Sequence, residues 1–150
     1  MRLWHNALLP YLPDAQFKGQ LRELVAIMRA WRDDGKTNHL LINRVMEYPK
    51  EDLYIYWKMY EREYDKRKGY SNSLDHYDDE FYNFSNGGYL IPWDVCEPFN
   101  GWHNKEYLRV CMANLYEKHF FGVGKSRITD EEWETLCRGY KEITGEEYVI

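Results

Sequence analysis

From Asp14 onward, Phe17, Leu21, Leu24, Val25, Met28 and Trp31 recur at three- and four-residue spacing. That spacing draws one apolar stripe along a helix and admits few other folds for this stretch. Asp14 reads as the N-cap, and Asp33-Asp34-Gly35 ends the period, so the spacing predicts a helix over 14–34. Everything else has to pack against that rod. The residues before it are not slack either. Leu3, Trp4, Leu8, Leu9 and Leu12 crowd the first dozen positions, with Arg2 and His5 among them. A chain start this apolar is either a buried staple or part of a working site.

The same periodicity continues downstream. A second helix is expected from near Asn38 through Leu40, Leu41, Val45 and Met46, broken by Pro49. A third follows, with Leu53, Trp57, Tyr60 and Tyr64 as its stripe. It ends in Lys66-Arg67-Lys68-Gly69, basic residues and a glycine where a helix C-terminus favours them. Residues 70–103 show no sustained helical period and read as a long irregular insert, acidic and aromatic, punctuated by Gly87-Gly88, Pro92, Pro98 and Gly101. A fourth helix starts at Asn104, with Leu108, Cys111, Met112, Leu115 and His119 on one face. Thr129-Asp130-Glu131-Glu132 is a capping box opening a fifth, through Trp133, Leu136, Cys137 and Tyr140. The fold expected is all-α: a single compact domain, 1–150, of about five helices with one irregular insert at 70–103.

Charge is unevenly distributed. The net charge is −5, yet residues 1–70 carry 13 Lys and Arg against 10 Asp and Glu, and 71–101 carry none against 6. A basic face is therefore compatible with an acidic total. Aromatic residues make up 17%, including 14 Tyr, which fits either a contact surface or an aromatic core. The three cysteines form no C-x-x-C pair, and no signal peptide or membrane span is present, which reads as a cytosolic protein with reduced thiols.

Several chemical motifs fall away. "GVGKS" at 122–126 lacks the full phosphate-loop spacing and follows a helix where a strand is required, so it reads as a C-cap and turn. Cys111 and His119 lie two helical turns apart, roughly 12 Å, and do not share a zinc ion; no metal or other cofactor is expected. His39 and His76 stand alone. Glu23 is more pointed. It lies off the apolar arc beside Ala26 and Ala30, with Arg22 and Arg29 on the same polar side. One carboxylate among small residues and arginines is either a solvated glutamate or a catalytic one.

The stretch "LLPYLPDAQFKGQLREL", residues 8–24, resembles the start of the phage pyrimidine-dimer DNA glycosylases, which also nick abasic sites. "YPKEDLYIYWKMYEREYDKRKGY" is similar to that family's Tyr-x-Lys and long helix ending in basic residues. "MRLWH" and "WHNKEYLRVC" resemble a bacterial and phage branch of it. The resemblance covers residues 1–70 well and thins beyond. It implies a helical enzyme whose N-terminal α-amine, here that of Met1, attacks C1′ of the damaged nucleotide, forms an imine and cuts the strand by β-elimination. Glu23 matches the essential carboxylate, Arg22 the phosphate-holding arginine, and Arg2 and His5 would lie near substrate.

This sequence departs from the family at three places. A small residue normally follows Met1, so that the methionine is removed; Arg2 opposes removal. Ala26 stands where a second arginine is expected, with Arg29 one turn on as its substitute. The aromatic, basic C-terminal tail is replaced by Glu146-Glu147-Tyr148-Val149-Ile150. The expected partner is damaged double-stranded DNA, bound by a monomer. Two other readings stay open: the same fold acting on or sequestering another nucleobase or nucleotide N-glycoside, and a non-enzymatic binding module.

Overall fold

The computed structural model describes residues 2–69, 72–86 and 96–150. Its elements are helices and turns, with no strand among the described residues. The α-helices are α1 (Asp14–Asp34), α2 (Lys50–Lys68), α3 (Asp75–Phe84), α4 (Lys105–Phe120) and α5 (Asp130–Thr144), joined by short 3₁₀ turns. The all-α expectation holds.

The chain divides into two compact units. The first comprises the chain start as far as Leu3 together with Leu21–Trp102. Its core joins Leu24, Val25, Ile27 and Met28 of α1 to Leu53, Tyr54, Tyr56, Trp57 and Tyr60 of α2 and to Phe81 and Phe84 of α3, all buried. Trp57 stacks on Phe81, with ring centroids 4.6 Å apart and planes within 8°, and its indole N–H donates to Asp78 at 2.9 Å. That indole bond satisfies the single polar atom of a fully buried ring. Tyr54, Tyr56 and Tyr60 of α2 thus serve the core. Burial and the neighbouring Asp78 push the Tyr54 phenol up to about 12, so it stays protonated.

Helix α3 corrects the reading of 70–103 as irregular throughout. Leu74, Phe81 and Phe84 are buried, and Tyr77 and Asp78 both reach the Trp57 ring or its N–H. This stripe is only three turns long and is interleaved with four carboxylates, Asp75, Asp78, Asp79 and Glu80. Composition therefore masks its period. Downstream, Phe99 takes a positive φ of 60°, a strained conformation for a bulky side chain. It is held there by burial, by its amide donating to Asp52 Oδ2 at 2.9 Å, and by edge contact with Tyr48. The Gly87-Gly88 and Pro92 punctuation lies outside the described residues.

The second helix expected from Asn38 is also corrected. That stretch is a turn leading into a 3₁₀ segment, Ile42–Glu47. Asn43 Oδ1 accepts the Thr37 amide at 2.7 Å, so a side chain competes with the helical ladder for backbone partners. Val45 is buried as expected, whereas Leu40 and Leu41 are exposed.

The second unit comprises Trp4–Gln20 and His103–Ile150. The apolar chain start is a staple here: Trp4, Leu8, Leu9 and Leu12 are buried, and the Trp4 amide donates to the fully buried Gln20 at 2.8 Å. Asn104 caps α4 by accepting from the Tyr107 amide. The capping box of α5 forms as read, with Thr129 and Glu132 exchanging side-chain bonds for each other's amides. "GVGKS" is a turn, with Gly124–Ser126 in 3₁₀ form. Helix α5 packs Leu136, Gly139 and Tyr140 inward. The Tyr11 ring presses on Gly139, where a Cβ would meet its ring carbons at 2.6 and 2.8 Å, and the Tyr11 hydroxyl donates to Glu142 at 2.5 Å. Gly139→Ala is expected to destabilise the protein by about 1–3 kcal/mol through overpacking, despite the better helix propensity of alanine. The urea midpoint measures this; an unchanged midpoint would mean that the ring gives way freely.

Candidate active site

The described chain starts at Arg2, and its backbone N–H donates to Glu23 Oε2 at 2.8 Å. Both residues are half-buried, and the next residue, Leu3, is fully buried. Two anchors therefore fix the chain start within the first unit: an apolar side chain and a charge-assisted bond to a carboxylate in the middle of α1. Glu23 lies three residues before Ala26, whose small side chain is exposed and leaves room above the helix. Met1 lies outside the described residues.

Arg22 is exposed on the polar side of α1. Arg29 is exposed too, but engaged. It grips Glu80 of α3 with two bonds, Nε at 3.1 Å and Nη2 at 2.7 Å, and its guanidinium stands 5.8 Å from the Tyr77 ring centre. Arg32 adds a third bond to Glu80 at 3.2 Å. The two arginines hold the Glu80 carboxyl below its usual range. The acidic insert thus partners the basic face of α1, a pairing across 51 residues that no local pattern in the sequence reveals. Glu80 is the residue that sequence reasoning passed over here.

His5 belongs to the second unit. It is 6% exposed, and its Nδ1 caps the 3₁₀ turn Asn6–Tyr11 by accepting from the Ala7 amide at 3.1 Å. Its ring stacks on His103 at 5.2 Å, which stacks on Tyr107 at 5.0 Å. His103 Nδ1 accepts from the Asn6 amide at 3.1 Å. Burial pushes the His5 imidazole down to about 4, against a smaller upward pull from hydrogen bonds to the His103 and Asn104 backbone. Among the described residues no three His, Cys, Asp or Glu side chains converge as a metal ion requires, and Cys96, Cys111 and Cys137 are free thiols. No helix among them is long and apolar enough to cross a membrane.

The model of one protein family, pyrimidine dimer DNA glycosylase, matches residues 1–78. The chain belongs to that family. The match contains Arg2, Arg22, Glu23 and Arg29, all of α1 and α2, and the first turn of α3. No curated protein matches the chain, and no solved structure does. In this glycosylase-family chain α4 and α5 lie beyond the matched residues, as does the "WHNKEYLRVC" stretch, where Trp102 and His103 are buried.

His5 gives the fold a pH dependence of definite sign. Its folded pKa lies below the ordinary 6.5, so the unfolded chain takes up the proton first, and the stabilisation is present above pH 6.5 and lost as pH falls towards 4. The loss amounts to up to about 3 kcal/mol. His5→Asn keeps a side-chain acceptor for the Ala7 amide without the titration, so its melting temperature is expected to fall less between pH 6.5 and 4 than that of the parent.

Proposed function

We propose that the chain is a DNA glycosylase with abasic-site lyase activity, acting on pyrimidine dimers through its N-terminal α-amine. The observation that carries this reading is the 2.8 Å bond from the Arg2 amide to Glu23. The α-amine of Met1 is joined to that peptide through a single Cα, a span of about 3.8 Å between successive α-carbons. On this reading the carboxylate that holds the second residue also serves the amine one residue before it. Family membership supports a DNA substrate, and Arg22 is the exposed cation next to Glu23 in sequence that suits a phosphate.

The chemistry follows from those groups. The amine lone pair forms a bond to C1′ as the glycosidic C–N bond breaks and the base leaves with a proton. Glu23 assists opening of the sugar ring and relays protons as the imine forms. Loss of a C2′ proton then expels the 3′ phosphate, breaking the C3′–O bond and cutting the strand. An α-amine has an ordinary pKa of about 8, which leaves a useful neutral fraction near pH 7. The net charge of −5 favours one rival, an N-glycoside in a free nucleotide, over duplex binding; a steep loss of affinity with added salt marks the duplex binder.

Borohydride trapping on a duplex with one abasic site, followed by peptide mapping, tests the reading. An adduct on the N-terminal amine is expected, and no adduct from folded protein that retains Met1 overturns it. Glu23→Gln keeps an oxygen that accepts the Arg2 amide, so the chain start stays in place. That variant is expected to lose cleavage about 10²–10⁴-fold while folding and DNA binding persist.

A further inference from the structure

Leu40 and Leu41 are 87% and 86% exposed, the two most exposed large apolar side chains among the described residues. Solvent-facing leucines at the tip of a loose loop would need no explanation, but this loop is clasped shut. Asn43 Oδ1 accepts the Thr37 amide at 2.7 Å, and Asn43 Nδ2 donates back to the Thr37 carbonyl at 3.2 Å. The Thr37 hydroxyl lies 2.8 Å from Asn43 Oδ1 and accepts the His39 amide at 3.1 Å. The Ile42 and Asn43 amides both donate to the His39 carbonyl, at 3.0 and 3.1 Å. Ile42 and Val45 are buried behind the tip. Thr37, itself buried, and Asn43 thus form a base that holds Asn38–Leu41 out as one narrow projection.

The chemistry of that projection favours a nucleic-acid duplex. From Gly35 to Met46 there is no carboxylate, and exposed Lys36 and Arg44 flank the tip on either side. Arg44 also donates to the Gly101 carbonyl at 3.4 Å and stands 3.7 Å from the exposed Glu47, so it reaches a phosphate in competition with that carboxylate. Two leucines on a turn offer far less area than a stable protein interface buries, about 800 Å² per partner. They do match the size of an apolar wedge placed between base pairs, where bulky side chains unstack one step and kink the duplex. Removing a base from a duplex requires such a distortion. The projection belongs to the same unit as Arg2, Arg22 and Glu23.

We infer that the clasped Thr37–Asn43 loop is a DNA wedge, with Leu40 and Leu41 entering the base stack and Lys36 and Arg44 resting on the flanking phosphates. This rests on the glycosylase reading for its substrate, but not on the amine chemistry. The test uses Leu40→Ser/Leu41→Ser, whose exposed positions leave the core untouched, and Asn43→Ala, which opens the clasp while keeping both leucines. The probe is a duplex with one abasic site and 2-aminopurine at successive neighbouring positions, which brightens on unstacking. Its single-stranded counterpart needs no unstacking. The parent protein is expected to raise the fluorescence of the duplex. Both variants are expected to lose most of that rise, and the double variant to lose at least 10-fold more cleavage on the duplex than on the single strand. Equal fluorescence and an equal duplex-to-single-strand ratio in parent and double variant would overturn the wedge. Loss of self-association without any change on DNA would overturn it equally, making the leucines a protein contact. Should the parent trap no imine on either substrate, the function proposed above falls, and the fluorescence comparison still decides the wedge.

Discussion

A backbone N–H at the second residue, held by a carboxylate in the middle of a long helix, is the constraint from which the first unit is organised. The bond ties the least constrained part of a chain, its beginning, to its most regular element. It succeeds because Leu3 is buried next to it; a hydrogen bond alone would not hold a terminus against its conformational entropy. The opposite face of α1 then faces the core, and α2 and α3 complete the layer through the Trp57–Phe81 stack. The site geometry and the packing of the core are consequences of one helix with two committed faces.

Charge is organised on the same helix. Arg29 and Arg32 meet Glu80, so part of the basic surplus of the first 70 residues is answered by the acidic stretch that follows. All three side chains are partly exposed, and such pairs contribute little to stability. Their effect is on where positive potential remains. Arg22 keeps an exposed guanidinium beside Glu23, whereas Arg29 reaches any phosphate only in competition with a carboxylate already bound twice.

Most of the helices were legible because their apolar spacing and caps agree: the stripe of α1, the Pro49 start and Gly69 end of α2, the Asn104 cap and the Thr129–Glu132 box. Helix α3 was not, because four carboxylates interrupt a stripe of three turns. The stretch after Asn38 misled for a different reason. Leu40 and Leu41 fit a helical face by spacing, but Asn43 satisfies the backbone of Thr37 and turns both leucines to solvent. Glu23 stood out as a candidate from its neighbours and from the family resemblance. Its bond to Arg2 and the Arg29–Glu80 pair join residues 21 and 51 positions apart, which no local pattern encodes. His5, adjacent to Arg2 and Leu3 in sequence, is a neutral capping and stacking residue of the other unit.

The close fit of the Tyr11 ring on Gly139 carries an evolutionary consequence. The ring occupies the volume that any side chain at 139 would need, and its hydroxyl is bonded one turn further along the same helix, at Glu142. Position 139 gains a side chain only at the expense of that ring. A lineage that gains a side chain at 139 has to shrink residue 11 in step, and the acid at 142 is then released from its bond. A side chain at 139 and a full ring at 11, far apart in the chain, should therefore exclude one another across the family.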